Sequence, residues 1–471
     1  MLFNSYEFIF LFLPVVLAGY YGLAKYFGAN WAKGFLIFAS LCFYSYWDIH
    51  NLPVLLVSIA VNTLFGRMLT KKQSKIWLIL GVAFNLCYLG VFKYTDFVIG
   101  NLNMALGSNI PLQKLVLPLG ISFFTFTQTA YLVDVYRGET KEYAISDYLL
   151  FVTIFPHLIA GPILYHKDMI PQFMDKLRYK INYENMTYGI FWFTIGLFKK
   201  VIIADKLAVY ANKVFEATGS IAMLDAWFGS LAYTLQLYFD FSGYSEMAIG
   251  LGLMLNFNLP WNFNYPYRAT SIIEFWKRWH ITLSAFLKNY LYIPLGGNRG
   301  GLFGHLRNIM ITMLLGGLWH GAGWTFVLWG GIHGAAICIN HLWRKTRINL
   351  PMWVNWLLTF NVVNLAWIFF RAESFDKAMS IIRAMGDVST FYVHNKYLGK
   401  YFELFATRHE HLVTPKAYIG IPLLILLSMF VLQEKKIEKL NPYISAVVLG
   451  GMFIYCVLKF GTISEFLYFQ F

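Results

Sequence analysis

Two histidines stand where an ionisable side chain is costly, and both could do proton chemistry. His320 lies in MLLGGLWHGAGWTFVLWGGIHG, residues 313–334, an otherwise uncharged run rich in Gly and Trp. An ionisable group in such a membrane-compatible segment marks a functional site by default. Gly316, Gly317, Gly321 and Gly323 surround it, so backbone or ligand can approach the imidazole with no Cβ in the way. His280 stands forty residues earlier, in IIEFWKRWHITLSAFLKNY, residues 272–290. An imidazole with an ordinary pKa near 6.5 is suited to taking a hydroxyl proton at neutral pH, as acyl transfer to an alcohol requires. The bland reading competes on residue type alone: a histidine satisfied by a backbone carbonyl, or buried for packing.

Other chemistry-bearing residues are weaker. His333 also sits in an apolar, Gly-rich setting, but on one straight helix it is turned about 220° from His320 and could not face the same lumen unless the glycines break the helix. Asp240, in YFDFSGYSEMAIG, and Glu246 are carboxylates embedded in apolar sequence. Asp240 could orient a histidine or pair with a cation. LGGNRGGLFG, residues 295–304, is only superficially like a phosphate loop, because GxxxxGK[ST] is missing; an interfacial turn is the better reading. HExxH, GxSxG and CxxC do not occur, which removes the usual signals of a membrane zinc protease or serine hydrolase. Cys42, Cys87, Cys338 and Cys456 each lie in an apolar run and read as small core residues rather than metal ligands or disulfide partners.

The elements that must position these residues are apolar helices. Of 471 residues only 13% are charged, against about 25% in soluble domains. Hydrophobic residues reach 58%, so a water-soluble fold would expose apolar patches that monomers avoid. The composition predicts a polytopic membrane protein and excludes a disordered chain, a disulfide scaffold or a collagen-like repeat. The net charge of +14 reads as positive-inside loops rather than nucleic-acid binding. On a helical wheel Ile272, Trp276, Trp279, Leu283, Phe286, Leu287 and Tyr290 share one arc, opposite Glu274, Lys277, Arg278, Ser284 and Lys288. The spacing predicts one amphipathic helix over 272–290, with His280 at the edge of the apolar arc, lying at the cytoplasmic surface or walling a cavity.

Phe8 to Leu23 is expected to remain as a transmembrane helix, since no positive n-region precedes it and no small-residue cleavage site follows. Lys25 and Lys33, then Arg67, Lys71, Lys72 and Lys75, mark cytoplasmic loops. Further apolar runs fall at about 32–47, 52–66, 77–93, 115–134, 187–211, 221–239, 245–258, 308–320, 324–342, 352–370, 418–433 and 444–460, giving about eleven spanning helices. Residues 145–166 contain Pro156, His157, Gly161 and Pro162 between two basic flanks and read as a re-entrant element lining a cytoplasmic cavity. The interval 372–417 reads as an extramembrane loop and 434–439 as a charged connector. No internal repeat is visible, which weakens an inverted-repeat transporter.

FWKRWHITLSAFLKNYLYIPLGGNRGG (275–301) followed by MLLGGLWHGAGWTFVLWGGIHG resembles the membrane-bound O-acyltransferases, and within them the bacterial alginate O-acetyltransferase type. MLFNSYEFIFLFLP at the N-terminus, FPHLIAGPI, FDFSGYSEMAIG and NLAWIFFRAES (364–374) look like the same group, so the resemblance covers most of the chain. It implies an all-α membrane bundle with re-entrant and interfacial helices around a tunnel, in one membrane-embedded domain over 1–471, with signature motifs within 232–334. It places His320 as the essential catalytic histidine and His280, matching the family's Asn or His landmark, in support. It further implies a multi-pass protein of the bacterial inner membrane, among membrane lipids. Acetyl from a cytoplasmic thioester, acetyl-CoA, would pass outward for O-acetylation of an exopolysaccharide or cell-wall polymer. A separate extracytoplasmic acetyltransferase or acetylesterase-like protein and the polysaccharide synthesis machinery would be the partners. No permanently bound cofactor or metal is expected.

On this reading His320 activates the acceptor hydroxyl, and His280 orients the donor or hydrogen-bonds the developing oxyanion. Arg278 and Lys277, with Lys288, could meet the donor phosphates, although a lipid-headgroup contact fits them equally. The nearest alternative is D-alanyl transfer to teichoic acid from a carrier-protein thioester. A different class is a polysaccharide or lipid transporter without acyl chemistry, for which repeated halves or paired charges along a path would be the signature.

Overall fold

The computed structural model describes residues 1–140, 143–391, 412–413, 415–430, 442–460 and 466–467, and among these the chain is helical with no strand. A π-helical turn, Phe8–Phe12, runs into α1 (Leu13–Tyr26), followed by α2 (Ala29–Ser45), α3 (Asn51–Lys71), α4 (Lys75–Leu106) and α5 (Ile121–Tyr136). Three short helices come next, α6 (Ile145–Thr153), α7 (Phe155–Leu158) and α8 (His166–Met174). α9 (Tyr183–Phe198) passes through a second π-helical turn, Lys199–Ala204, into α10 (Asp205–Phe215). Then follow α11 (Met223–Met254), α12 (Ile272–Arg278), α13 (Ile281–Leu287), α14 (Gly301–His320), α15 (Trp324–Thr346), α16 (Met352–Arg371), α17 (Phe375–Gly386), α18 (Pro415–Phe430) and α19 (Pro442–Val457).

Among the described residues, five helical stretches are long and apolar enough to cross a bilayer: Phe8–Tyr26, Asn51–Lys71, Lys75–Leu106, Tyr183–Phe215 and Met352–Arg371. At 1.5 Å per residue about 20 residues cross the hydrocarbon core. Only 17% of the apolar window of α4 is buried within the protein, and Ile76, Ile79, Leu86, Val91 and Val98 point outward along it. Such a surface suits lipid and not water. The chain is a multi-pass membrane protein.

The chain packs as two compact units. The first comprises Met1–Leu197, Gly243–Asn262 and Gly451–Phe471; the second comprises Phe198–Ser242 and Phe263–Gly450. In the first, Phe3, Phe8, Phe12, Phe43 and Phe155 form one aromatic core. Asn62 and Asn85 exchange side-chain hydrogen bonds at 3.0 and 2.6 Å, and Tyr148 donates to Gln128, which donates to Ser58. Most buried amides are paired in this way. The segment expected to be re-entrant is nearly all buried, and its His157 Nε2 lies 3.0 Å from the Phe151 carbonyl. The nine residues of α6 rise only about 13 Å, too little to span.

Three expectations change. The runs 221–239 and 245–258 are not two elements: α11 is one helix of 32 residues, because the intervening Asp240 is ion-paired and its neighbours Phe239 and Phe241 are buried. The loop expected over 372–417 contains α17, capped by Ser374 Oγ, which accepts from Lys377 N at 3.1 Å, with Ala378, Ile381 and Met385 turned inward. The rest of that interval, apart from a few residues at its ends, and the connector 434–439 lie outside the described residues. Finally, Cys42 and Cys87 are exposed, Cys338 is half-buried and only Cys456 is buried. Where the surrounding solvent is lipid, an apolar thiol gains little from burial.

Candidate active site

His280, His320 and His333 belong to the second unit. α14 and α15 form an antiparallel hairpin joined by Gly321–Gly323. A Cβ on Gly317 would stand 2.2 Å from the Phe326 carbonyl oxygen, and one on Gly330 would stand 2.2 Å from that of Met313. Only glycine permits the two backbones to meet so closely. The hairpin ends α14 at His320, which is 4% exposed, with its ring edge-on to Trp319 at 4.9 Å, Trp329 at 5.0 Å and Phe370 at 5.2 Å. The carbonyl end of a helix carries partial negative charge, which suits a ring that becomes cationic when it takes a proton.

The same break brings His333 into the cluster. Trp329 meets the His333 ring at 4.8 Å and the His320 ring at 5.0 Å, so the two imidazoles share one indole. The helical-wheel separation of about 220° does not apply, because the chain reverses between them. Trp367 of α16 stacks on Trp329 at 5.5 Å and 23°, and Trp276 of α12 donates from Nε1 to His333 Nδ1 at 3.3 Å.

His280 departs from the expected single helix over 272–290. α12 ends at Arg278, Trp279 is extended, and His280 takes a left-handed conformation at φ 44°, ψ 56° before α13 begins. Left-handed backbone is uncommon outside glycine, and histidine tolerates it better than most side chains. The corner turns the His280 imidazole fully inward, edge-on to Phe241 at 4.8 Å, rather than to the rim of an apolar stripe. It also inserts Trp279 against Trp367 at 5.0 Å. His280 is thus tied through its neighbour to the wall that carries His320 and His333.

The corner has its own lock. Ser271 Oγ accepts from Glu274 N at 3.2 Å, and Glu274 accepts from Thr270 N at 2.9 Å, a capping arrangement of the S-x-x-E kind. Glu274 Oε1 then receives Arg278 Nε at 3.0 Å and Nη2 at 2.8 Å, while Arg278 Nη1 donates to the Asn264 carbonyl at 3.1 Å. Arg278 therefore has a structural duty, whereas Lys277 beside it is exposed. Lys288 is exposed too.

Asp240 turns out to face a cation. Lys200 Nζ, 2% exposed, bridges Asp240 at 2.7 Å and Asp205 at 2.9 Å, at the π-helical turn Lys199–Ala204. The interruption of the apolar run by Lys199 and Lys200 was the available signal. In the first unit, His166 is held between Asp134 Oδ2 and the Tyr143 hydroxyl, each at 3.0 Å, and no spacing in the sequence announces that triad.

Apolar helices long enough to cross a bilayer, with histidine buried among tryptophans, define an integral-membrane protein, and the family follows from comparison. Residues 31–375 match the model of the membrane-bound O-acyltransferase family, and the chain belongs to that family; it is an acyltransferase. It is 46% identical to the peptidoglycan O-acetyltransferase of Helicobacter pylori over 82% of this chain and 80% of that protein. It is 44% identical to the probable alginate O-acetylase AlgI of Pseudomonas aeruginosa over 83% of this chain and 76% of that one. Similarity to the teichoic acid D-alanyltransferase of Streptococcus thermophilus is lower, at 27% over 55% of this chain and 69% of that protein.

Proposed function

We propose that this protein O-acetylates an envelope polysaccharide or peptidoglycan, drawing acetyl from a cytoplasmic thioester, acetyl-CoA, and passing it across the bacterial inner membrane. The observation that carries the reading is His320 at the end of α14, enclosed by Trp319, Trp329 and Phe370 in a chain similar to a peptidoglycan O-acetyltransferase and a probable alginate O-acetylase. The imidazole takes the proton of the acceptor hydroxyl, whose oxygen attacks the thioester carbonyl carbon. The carbonyl π pair moves to oxygen, then returns as the C–S bond breaks, and the thiolate recovers the proton from His320. His280, fixed by the α12–α13 corner, orients the donor or supports the oxyanion. Lys277, exposed beside the anchored Arg278, meets the donor phosphates on the basic, cytoplasmic side. An extracytoplasmic acetylesterase-like protein completes delivery alongside the polymer synthesis machinery.

The test is thioester consumption by the protein in proteoliposomes with the extracytoplasmic partner and polymer. General-base removal costs about 10²- to 10⁴-fold, so His320→Ala is expected to lose at least a hundredfold while keeping the wild-type thermal midpoint. Near wild-type turnover by that variant removes His320 from the role. Preference for a D-alanyl carrier-protein thioester over acetyl-CoA would replace the acetyl reading, and substrate movement into liposomes without thioester cleavage would replace the enzyme reading.

A further inference from the structure

His333 is fully buried, and its two nitrogens are in different states. Trp276 Nε1–H can only donate, so the His333 Nδ1 that receives it at 3.3 Å must carry the lone pair. The ring is then neutral with its proton on Nε2. That atom is enclosed by protein and has no hydrogen-bond partner. The indole Nε1–H of Trp329, 1% exposed and in ring contact with His333 at 4.8 Å, is likewise enclosed and without a partner. Buried donors in native proteins are almost always satisfied. Two idle ones on rings whose centroids lie 4.8 Å apart, one of them the indole that also packs against His320, point to an acceptor that arrives with a ligand.

We propose that His333 Nε2–H, with Trp329 Nε1–H beside it, is a neutral donor site for the carbonyl oxygen of the acyl group, and that His333 is a catalytic residue in addition to His320. The proposal rests on the acyl-transfer reading and deepens it. When the acceptor oxygen bonds to the acyl carbon, the carbonyl π pair becomes an oxyanion lone pair. The two N–H groups hold that charge without giving up a proton, and the pair returns to re-form C=O as thiolate leaves and takes the proton held by His320. Preformed donors in a dry site stabilise such charge best because they need not reorganise. Both atoms are sequestered from bulk solvent. Trp276 has the supporting part: by occupying Nδ1 it fixes which nitrogen bears the proton.

Asparagine and glutamine separate the two nitrogens. His333→Asn offers an acceptor to Trp276 near Nδ1 but has no donor at Nε2; His333→Gln carries an N–H near Nε2 and gives up the anchor. In the acetyl-CoA assay with partner and polymer, His333→Asn is expected to lose 10- to 100-fold in kcat with KM within twofold, while His333→Gln stays within about fivefold of wild type. His333→Asn at wild-type kcat, or a greater loss in Gln than in Asn, overturns the donor role. A second readout needs no turnover. The infrared carbonyl band of ¹³C-labelled S-acetyl-N-acetylcysteamine bound to the protein should be lowered in wild type and His333→Gln and unshifted in His333→Asn. A wild type that consumes no acetyl thioester defeats the acetyl reading alone; an identical band in all three proteins defeats the present one. ¹⁵N NMR of histidine-labelled protein showing the His333 proton on Nδ1 does so as well.

Discussion

Gly317 and Gly330 meet across the α14–α15 hairpin so closely that a methyl on Gly317 would come within 3.1 Å of Gly330 N. Side-chain volume on either residue must therefore push the helices apart, and with them the indole that His320 and His333 share.

Gly317→Ala is expected to destabilise by about 1–3 kcal/mol through overpacking and to cut turnover at least tenfold by displacing Trp329. Gly304→Ala, in the same helix with open space around the added methyl, is the control. It should be neutral or stabilising by up to about 1 kcal/mol from helix propensity. Thermal midpoints in detergent and the thioester assay, measured on both variants, check the contrast.

His280 makes a conformational prediction separate from its chemistry. A non-glycine residue held in the left-handed region costs on the order of 1–3 kcal/mol, and asparagine visits that region more readily than most residues. His280→Asn should therefore keep the wild-type thermal midpoint, whereas His280→Val, β-branched at φ 44°, should lower it clearly. If donor orientation or oxyanion support is the role of the imidazole, the stable Asn variant keeps part of the turnover and His280→Gly loses most of it despite a relaxed backbone.

The buried Lys200 cluster should behave as a coupled unit. Removing one member of a buried ion pair leaves charge without its counterion, at about 3–5 kcal/mol. Lys200→Met is expected to show a loss of that order, and the double change with Asp240→Asn should recover part of it. A double-mutant cycle on thermal or denaturant midpoints gives the coupling energy, and a value near zero would show that the 2.7 Å contact carries no stability.

What the sequence disclosed and what it concealed divide along physical lines. The membrane class and helical content followed from the scarcity of charge, and His320 stood out because an uncharged run offers few other polar groups. The helical wheel over 272–290 correctly turned Trp276, Trp279, Leu283 and Phe286 inward, yet it assumed one axis. The reversal at Trp279–His280 is a backbone event that side-chain periodicity does not encode, and histidine gave no warning that glycine would have given. His333 stays open on sequence alone, because the angle of about 220° holds only on a straight helix and Gly321 and Gly323 could break it, as the hairpin they join does. Asp240 with Lys200, and Asp134 with His166, are pairs between distant segments, which only the packed structure brings together.

The two basic residues of the α12 end should part company on mutation. Arg278 gives two donors to Glu274 and one to the Asn264 carbonyl, a planar fork that a lysine ammonium cannot reproduce. Arg278→Lys is therefore expected to lower the thermal midpoint and, by loosening the corner that holds His280, to reduce kcat. Lys277 is exposed, so Lys277→Ala should leave the midpoint in place. If its ammonium meets the phosphates of acetyl-CoA, that variant raises KM for the donor severalfold at low salt. The difference from wild type should then shrink toward 0.5 M salt, where the screening length falls well below the roughly 10 Å of 0.1 M. Donor KM measured across ionic strength decides the point: an unchanged KM at low salt in Lys277→Ala assigns the ammonium to lipid headgroups instead.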